Sequence, residues 1–366
     1  MIYLDNGATS FHKPPSVHRA VAQAMHTCAN PGRGGYAAAM AAADQVFCCR
    51  ERAAKLFGCH PEQVAFTSNC THGLNIAIHT LVKPGNRVVI SGFEHNAVTR
   101  ALHARDARIA VAGRKLFNWE DTLSQFADAL HGASAAVFTH VSNVFAYILP
   151  VEEMAALCRE RGVPFIIDAA QSAGAISLSL QDLGAGFIAM PGHKGLLGPQ
   201  GTGLLLCGAD PQPLIFGGTG SESIRQEMPD FLPDRLEAGT LNVPGIAGLS
   251  AGLQYLLKTG VDTIGRREQM QAKRCAAGLR KLGYRVFSGE HQAGTVSFLP
   301  GTDCEKAAEV FARRGIALRA GLHCAPLAHE SAGTLETGTV RVSFGHDAQN
   351  WQTDALVQAA SKGFSK

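Results

Sequence analysis

The chain has 366 residues, with 33 Lys and Arg against 30 Asp and Glu, so its formal net charge is +3. That balance, without a run of five or more basic residues, gives no electrostatic footprint for nucleic acid. Hydrophobic residues make up 46% and charged residues 17%, which excludes a largely disordered chain; the length allows about two domains with sizeable cores. The 40 glycines fall in no low-complexity tract, so many are expected in tight turns and close backbone approaches.

At the N-terminus, Asp5 interrupts the position where a signal peptide needs an apolar core. No stretch approaches 18 apolar residues, so no membrane span is expected. The ten cysteines are irregularly spaced, without a CxxC pair or zinc-type repeat. They read as reduced thiols of a cytoplasmic protein, with no metal site. From residue 60 to 210, short apolar runs alternate with amphipathic segments. Strands are expected at 64–67, 87–91, 108–112, 135–141, 164–168, 187–190 and 202–207. Helices are expected at 71–81, 97–104, 120–130 and 151–161. Strand and helix in alternation imply parallel pairing, with helices on both faces of a sheet whose strands are apolar on both sides. Residues 211–245 are rich in Gly, Pro and Glu and show no period. A long helix-like tract then runs past Arg280, followed by strand 294–299, helix 305–314, strands 316–319 and 339–344, and helix 351–360. The later part reads as a smaller α+β unit.

In parallel sheets of this kind, ligands bind beyond the carboxyl ends of the strands, and the chemically interesting residues follow strands here. Asp168 ends the run PFIID, and Lys194 follows the strand FIAM within Gly192-His193-Lys194-Gly195. A carboxylate and a lysine at neighbouring strand ends suit pyridoxal phosphate, which needs an amine for its imine and an anion against its ring nitrogen. Each residue alone reads rather as a surface lysine or as a strand-end aspartate in an ordinary turn; together, with the glycines around them, they favour the coenzyme. Ser68-Asn69-Cys70-Thr71-His72 opens a helix after the strand VAFT, where backbone N–H groups and a hydroxyl suit a phosphate; Asn69 or Thr71 serves equally as an N-cap. His95, in Glu94-His95-Asn96, follows the strand VVIS and suits stacking on a flat ring or moving a proton, or is simply a loop histidine. Cys324 lies in Arg319-Ala-Gly-Leu-His323-Cys324, a charged setting that suits a nucleophile but equally accommodates a small buried side chain. Arg341 is an arginine in an otherwise apolar strand, where it meets a carboxylate in bidentate fashion or faces solvent at an edge.

Nine motifs appear in order: YLDNGATS at 3–10, NPGRGG at 30–35, FTSNCTHGLN at 66–75, EHNA at 94–97, HVSNV at 140–144, DAAQ at 168–171, GHKGLLGPQGTG at 192–203, EAGTLN at 237–242 and RAGLHCA at 319–325. On these the sequence resembles the fold-type I pyridoxal-phosphate enzymes of the class V aminotransferase group, and within it the cysteine desulfurase and selenocysteine lyase family. The resemblance implies an α/β fold: a large domain at 13–245 with a mostly parallel seven-stranded sheet between helices, and a smaller α+β domain from 1–12 and 246–366 that carries the catalytic cysteine loop. It implies pyridoxal 5'-phosphate on Lys194, Asp168 against the ring nitrogen, Gln171 on the phenolic oxygen and His95 on the ring face. Cys70, Thr71 and His193 would bind phosphate. Gly239 and Thr240 would reach the phosphate of a neighbouring subunit, hence a homodimer with shared sites. Ala8, Asn143, Arg319 and Arg341 would bind substrate, Arg341 taking the α-carboxylate. Cys324 would receive sulfur from L-cysteine as a persulfide, leaving alanine, for onward transfer to a sulfur-acceptor protein. A selenocysteine lyase acting on L-selenocysteine, another Cβ–S or Cβ–Se lyase, and a non-catalytic sulfur-relay scaffold are the alternatives. Departures from the family pattern fall at Gly7, Tyr36, Pro191 and Leu322.

Overall fold

The computed structural model describes residues 1–32 and 34–364; Arg33 of the NPGRGG motif, with Ser365 and Lys366, lies outside the described residues. The chain begins with β1 (Ile2–Tyr3), α1 (Pro15–Thr27) and α2 (Ala37–Phe57). Neither helix stands out in the expected elements. The signal for α2 is nevertheless in the sequence, because its buried residues Ala39, Ala42, Val46, Cys49 and Ala53 recur every three or four positions.

The alternating region then runs β2 (Val64–Thr67), α3 (Cys70–Leu81), β3 (Arg87–Ser91), α4 (Asn96–Ala104), β4 (Arg108–Ala112), α5 (Trp119–Ala129), β5 (Ala135–Thr139), α6 (Val151–Arg161), β6 (Phe165–Asp168), α7 (Leu180–Leu183), β7 (Phe187–Pro191) and β8 (Gly203–Cys207). These strands make a seven-stranded sheet in the order β2-β8-β7-β6-β5-β3-β4. Alternate residues feed two separate cores. Phe66, Phe138, Ile167, Met190 and Leu206 face one, and Ala65, Val137, Ile166, Ala189 and Leu205 the other, as expected when helices cover both faces. One strand departs from the expected parallel pairing: β8 is antiparallel to both β7 and β2. The connection at 192–202 contains no helix, and a parallel return usually needs a helical crossover, so the chain turns back along its neighbour. The other six strands share one direction and open their carboxyl ends on one side of the molecule.

Beyond the irregular 211–242, the expected single long helix is two, α8 (Val243–Thr259) and α9 (Val261–Lys281). Gly260 separates them at φ +86, and its N–H closes α8 on the Leu256 carbonyl. The chain continues through β9 (Arg285–Phe287), β10 (Thr295–Leu299), α10 (Cys304–Arg313), β11 (Ile316–Ala317), β12 (Arg319–Gly321), α11 (Pro326–Ala332), β13 (Thr339–Ser343) and α12 (Asn350–Ser361). A four-stranded antiparallel sheet in the order β12-β13-β10-β9 forms here, over a third core of Val296, Phe298, Phe311, Val340 and Val342. The expected strand 316–319 is split at Leu318: β11 pairs with β1, while β12 joins β13. The N-terminal segment therefore crosses to this sheet, where Asp5 bridges Ser343. Among the described residues no helix is long and apolar enough to cross a membrane.

Candidate active site

A cavity of about 250 Å³ opens where the carboxyl ends of the large sheet face β12 and β13. Asp168, the last residue of β6, is 2% exposed, and its Oδ1 accepts the Ala170 N–H at 2.8 Å and the Cys70 thiol at 3.4 Å. Lys194 follows β7. It is held there because Gly195 passes so near Ala173 that an added Cβ would lie 2.3 Å from the Ala173 carbonyl oxygen. Burial pushes the Lys194 amine below the usual lysine range, and the nearby Asp168 opposes this only in part. An amine so placed is readily uncharged, the state in which it attacks a carbonyl carbon or takes a proton.

His95 caps α4. Its Nδ1 accepts the Ala97 N–H at 3.0 Å, so the neutral ring carries its proton on Nε2. Burial lowers its pKa and Asp168 acts the other way. The α3 N-terminus opens on the same cavity: Asn69 caps it by accepting the His72 N–H at 2.9 Å, leaving Thr71 on the wall. The Cys70 thiol is pushed far up by burial and then by Asp168, so only its backbone is available to an anion. Gln171 donates to the Gly7 carbonyl at 3.0 Å. His193 contacts Thr9 Oγ1 at 3.0 Å; burial, with Lys194 and Lys13 nearby, holds it neutral with a pKa of about 4.

The opposite wall comes from the small sheet. Arg341, on β13, is 2% exposed. The expectation of a bidentate carboxylate partner is met in a different form: Nη2 donates to Asp5 Oδ1 at 2.7 Å, Nη1 donates to the Asn143 carbonyl at 3.0 Å, and Nε has no partner among the described residues. Arg319 stands opposite it in register on β12. Cys324 is exposed and lies on the cavity wall with His323, Ala8, Gly7 and Pro191. Gly7 is tightly held, since a Cβ there would lie 3.3 Å from the Arg341 guanidinium carbon. Tyr36 and Leu322 are exposed.

The structure thus gathers Lys194, Asp168, Gln171, His95, Cys70, Thr71, His193, Ala8, Asn143, Arg319, Arg341 and Cys324 around one cavity. Gly239 and Thr240 are not among them. They border a second cleft of about 640 Å³ beside α2, behind a buried Arg50–Glu237 ion pair whose Glu237 Oε1 also accepts the Phe66 N–H at 2.7 Å. Sequence reasoning missed Asp5 as the arginine's partner. The signal available was an acidic residue closing the short apolar run at the N-terminus.

A family model described as aminotransferase class-V matches residues 2–356. A probable cysteine desulfurase of Pyrococcus abyssi is 31% identical, over 94% of this chain and 89% of the relative. A probable cysteine desulfurase of Methanothermobacter thermautotrophicus is 30% identical, over 93% and 89%. Among solved structures, the apo cysteine desulfurase from Thermococcus onnurineus NA1 superposes with a TM-score of 0.91 at 29% identity, covering 99% of this chain and 94% of that one.

Proposed function

From the premise that this chain belongs to the aminotransferase class-V family, alongside cysteine desulfurases that match nearly all of it, we infer that it is an enzyme and a cysteine desulfurase, forming alanine from L-cysteine and passing the sulfur to Cys324. The observation that carries this reading is the meeting of Lys194, Asp168, Arg341 and Cys324 on one cavity. The donor set fits pyridoxal phosphate. A buried carboxyl, a lysine whose amine burial disfavours as a cation, and a capped helix N-terminus line the same space. When bound, that coenzyme supplies a ring that withdraws electrons from the substrate's Cα and so weakens its Cβ–S bond.

The chain's own residues then divide the work. Lys194 would hold the coenzyme and, released from it, move protons at the substrate's Cα and Cβ. Asp168 would face the ring nitrogen, His95 the ring face and Gln171 the phenolic oxygen. Thr71, the Cys70 backbone and His193 would hold the phosphate. Pro191 brings no hydroxyl to that end. Arg341 would take the α-carboxylate beside Arg319, Asn143 and Ala8. Cys324 Sγ, as thiolate, would attack the substrate sulfur. An S–S bond forms, the Cβ–S bond breaks, and its electron pair stays with the carbon fragment, which is protonated to alanine.

Gly239 and Thr240 lie outside this chain's own cavity, and exposed Tyr36, Met40, Phe47, Phe216 and Ile224 belong to the segments near them. Both facts support a homodimer in which each copy completes the other's phosphate site. We further propose that residues 13–245 form the coenzyme domain and that 1–12 with 246–366 form the smaller one. The β1–β11 pairing supports the crossing of the N-terminus, while the packing of α8 on α1 and α2 moves the second boundary of this division from 245 to Gly260. A cytoplasmic location and a protein sulfur acceptor complete the proposal.

Product analysis tests the central reading. Purified protein with the coenzyme, L-cysteine and a thiol reductant should release alanine and sulfide in equal amounts. Pyruvate and ammonia in their place would replace desulfuration by β-elimination.

A further inference from the structure

Asn143 is tied to the Cys324 loop as well as to the carboxylate site. The loop between β12 and α11 places two consecutive residues with side chains in the left-handed region, His323 at φ +49 and Cys324 at φ +56. L-residues rarely stay there without outside support. Four bonds hold the loop. Ala325 N–H closes on the Leu322 carbonyl within it, and the His323 ring meets the Thr339 carbonyl on β13. The Asn96 N–H donates to the Cys324 carbonyl at 2.8 Å. The fourth is the Asn143 side-chain amide, which donates to the His323 carbonyl at 2.7 Å. Of the two ties that reach the loop from the large-sheet side, it is the one made by a side chain.

Asn143 sits on a stiff base. Ser142 and Val144 are buried, and Ser297 Oγ on β10 donates to the Val144 carbonyl at 2.6 Å. The Asn143 carbonyl accepts Arg341 Nη1, so one residue contacts both the arginine and the loop. Its Oδ1 is buried without a partner among the described residues.

We propose that Asn143 is the positioning residue for Cys324: by gripping the His323 carbonyl it sets the thiol at a fixed place relative to a substrate held on Arg341. This rests on the reading of Cys324 as the sulfur acceptor. A residue that only bound substrate would act on affinity. One that acts through the thiol governs the transfer step and the reactivity of Cys324 even without substrate.

Two measurements on the coenzyme-loaded protein separate these roles: steady-state alanine formation from L-cysteine, and the rate at which iodoacetamide modifies Cys324, followed on its own peptide by mass spectrometry without substrate. For Asn143→Ala, kcat should fall about five- to tenfold, the scale of one neutral hydrogen bond, a larger factor than any rise in KM. Cys324 should be alkylated several-fold faster than in the wild type, with the other cysteines unchanged. Asn143→Asp keeps the shape, loses the donor and should show the same faster alkylation, which covers the case of a poorly folded alanine variant. A raised KM with intact kcat and an unchanged Cys324 alkylation rate would overturn the proposal. Should the wild type form no alanine, the desulfurase reading fails; the alkylation rates still decide whether Asn143 holds the loop.

Discussion

At the strand-end wall of the cleft, Asp168, Lys194 and His95 are fixed by backbone. Asp168 accepts from Ala170, His95 accepts from Ala97, and Lys194 is followed by Gly195, which is pressed against Ala173 and Gly174. Across from them, Cys324 is exposed on a short loop in a rarely populated conformation, held by a few bonds between separate elements. The strand-end wall is part of a closed hydrogen-bonded frame and can keep its shape empty, as suits groups that orient a bound molecule. The loop keeps its place through fewer bonds, each from a separate element, so the position of the thiol depends on every one of them.

Breaking the stiff wall should be the more severe. Lys194→Ala should reduce alanine formation by about 10²–10⁴-fold and abolish the coenzyme linkage reducible by borohydride, both read on the purified protein. A variant that kept that linkage would show that the wall does not carry the coenzyme. Cys324→Ala should be nearly as damaging to sulfur release, by on the order of 10³-fold, yet leave coenzyme binding and absorbance as in the wild type. Loss of the coenzyme in that variant would mean that the two halves are not separable. Arg341→Lys keeps a charge but not the planar fork, so KM for L-cysteine should rise about 10- to 100-fold, the scale of a hydrogen bond to a charged group; an unchanged KM would place the carboxylate elsewhere, with Arg319 the next candidate.

The last effect is on stability rather than turnover and concerns the support of the stiff wall. Glu94 is fully buried at the end of β3. Its Oε1 accepts the Thr139 N–H at 2.8 Å and the Ser91 hydroxyl, while Oε2 has no partner. Burial pushes its pKa up to about 8 from 4.5, against those hydrogen bonds. Between pH 4.5 and 8 the folded chain therefore holds a proton that the unfolded chain has released. Stability should fall across that window by about 1 kcal/mol per pH unit from this group, and level off above it. Glu94→Gln should flatten the decline in unfolding midpoint by that amount; an unaltered profile would mean that Glu94 is ionised in the fold.

Much of the stiff wall was legible in the sequence. The limits of β2, β3 and β4 follow from their apolar runs, and Asp168 and Lys194 announce themselves as charges placed just after such runs. The orientation of β8 was not legible, because an apolar strand reads the same in both directions and only the helix-free 192–202 connection decides it. The break at Gly260 was hidden inside a continuous helical pattern. The loop half was less legible still. Cys324 stands out among ten cysteines only through its neighbours, and the partners that hold it, Asn96 and Asn143, lie about 180 or more positions away in the chain. Arg341 could be marked as needing a carboxylate, but Asp5 is 336 positions distant.

By itself the sequence determined the alternating architecture, the residue types of the chemistry and their order along the chain. These depend on local periodicity and on charges that interrupt apolar strands, which are properties of neighbouring residues. Tertiary structure alone decided which groups share one cavity, that Arg341 is already engaged with Asp5, and that Gly239 and Thr240 lie outside their own chain's cavity. Such outcomes depend on how two sheets meet, and no local pattern encodes the distance between residues hundreds of positions apart.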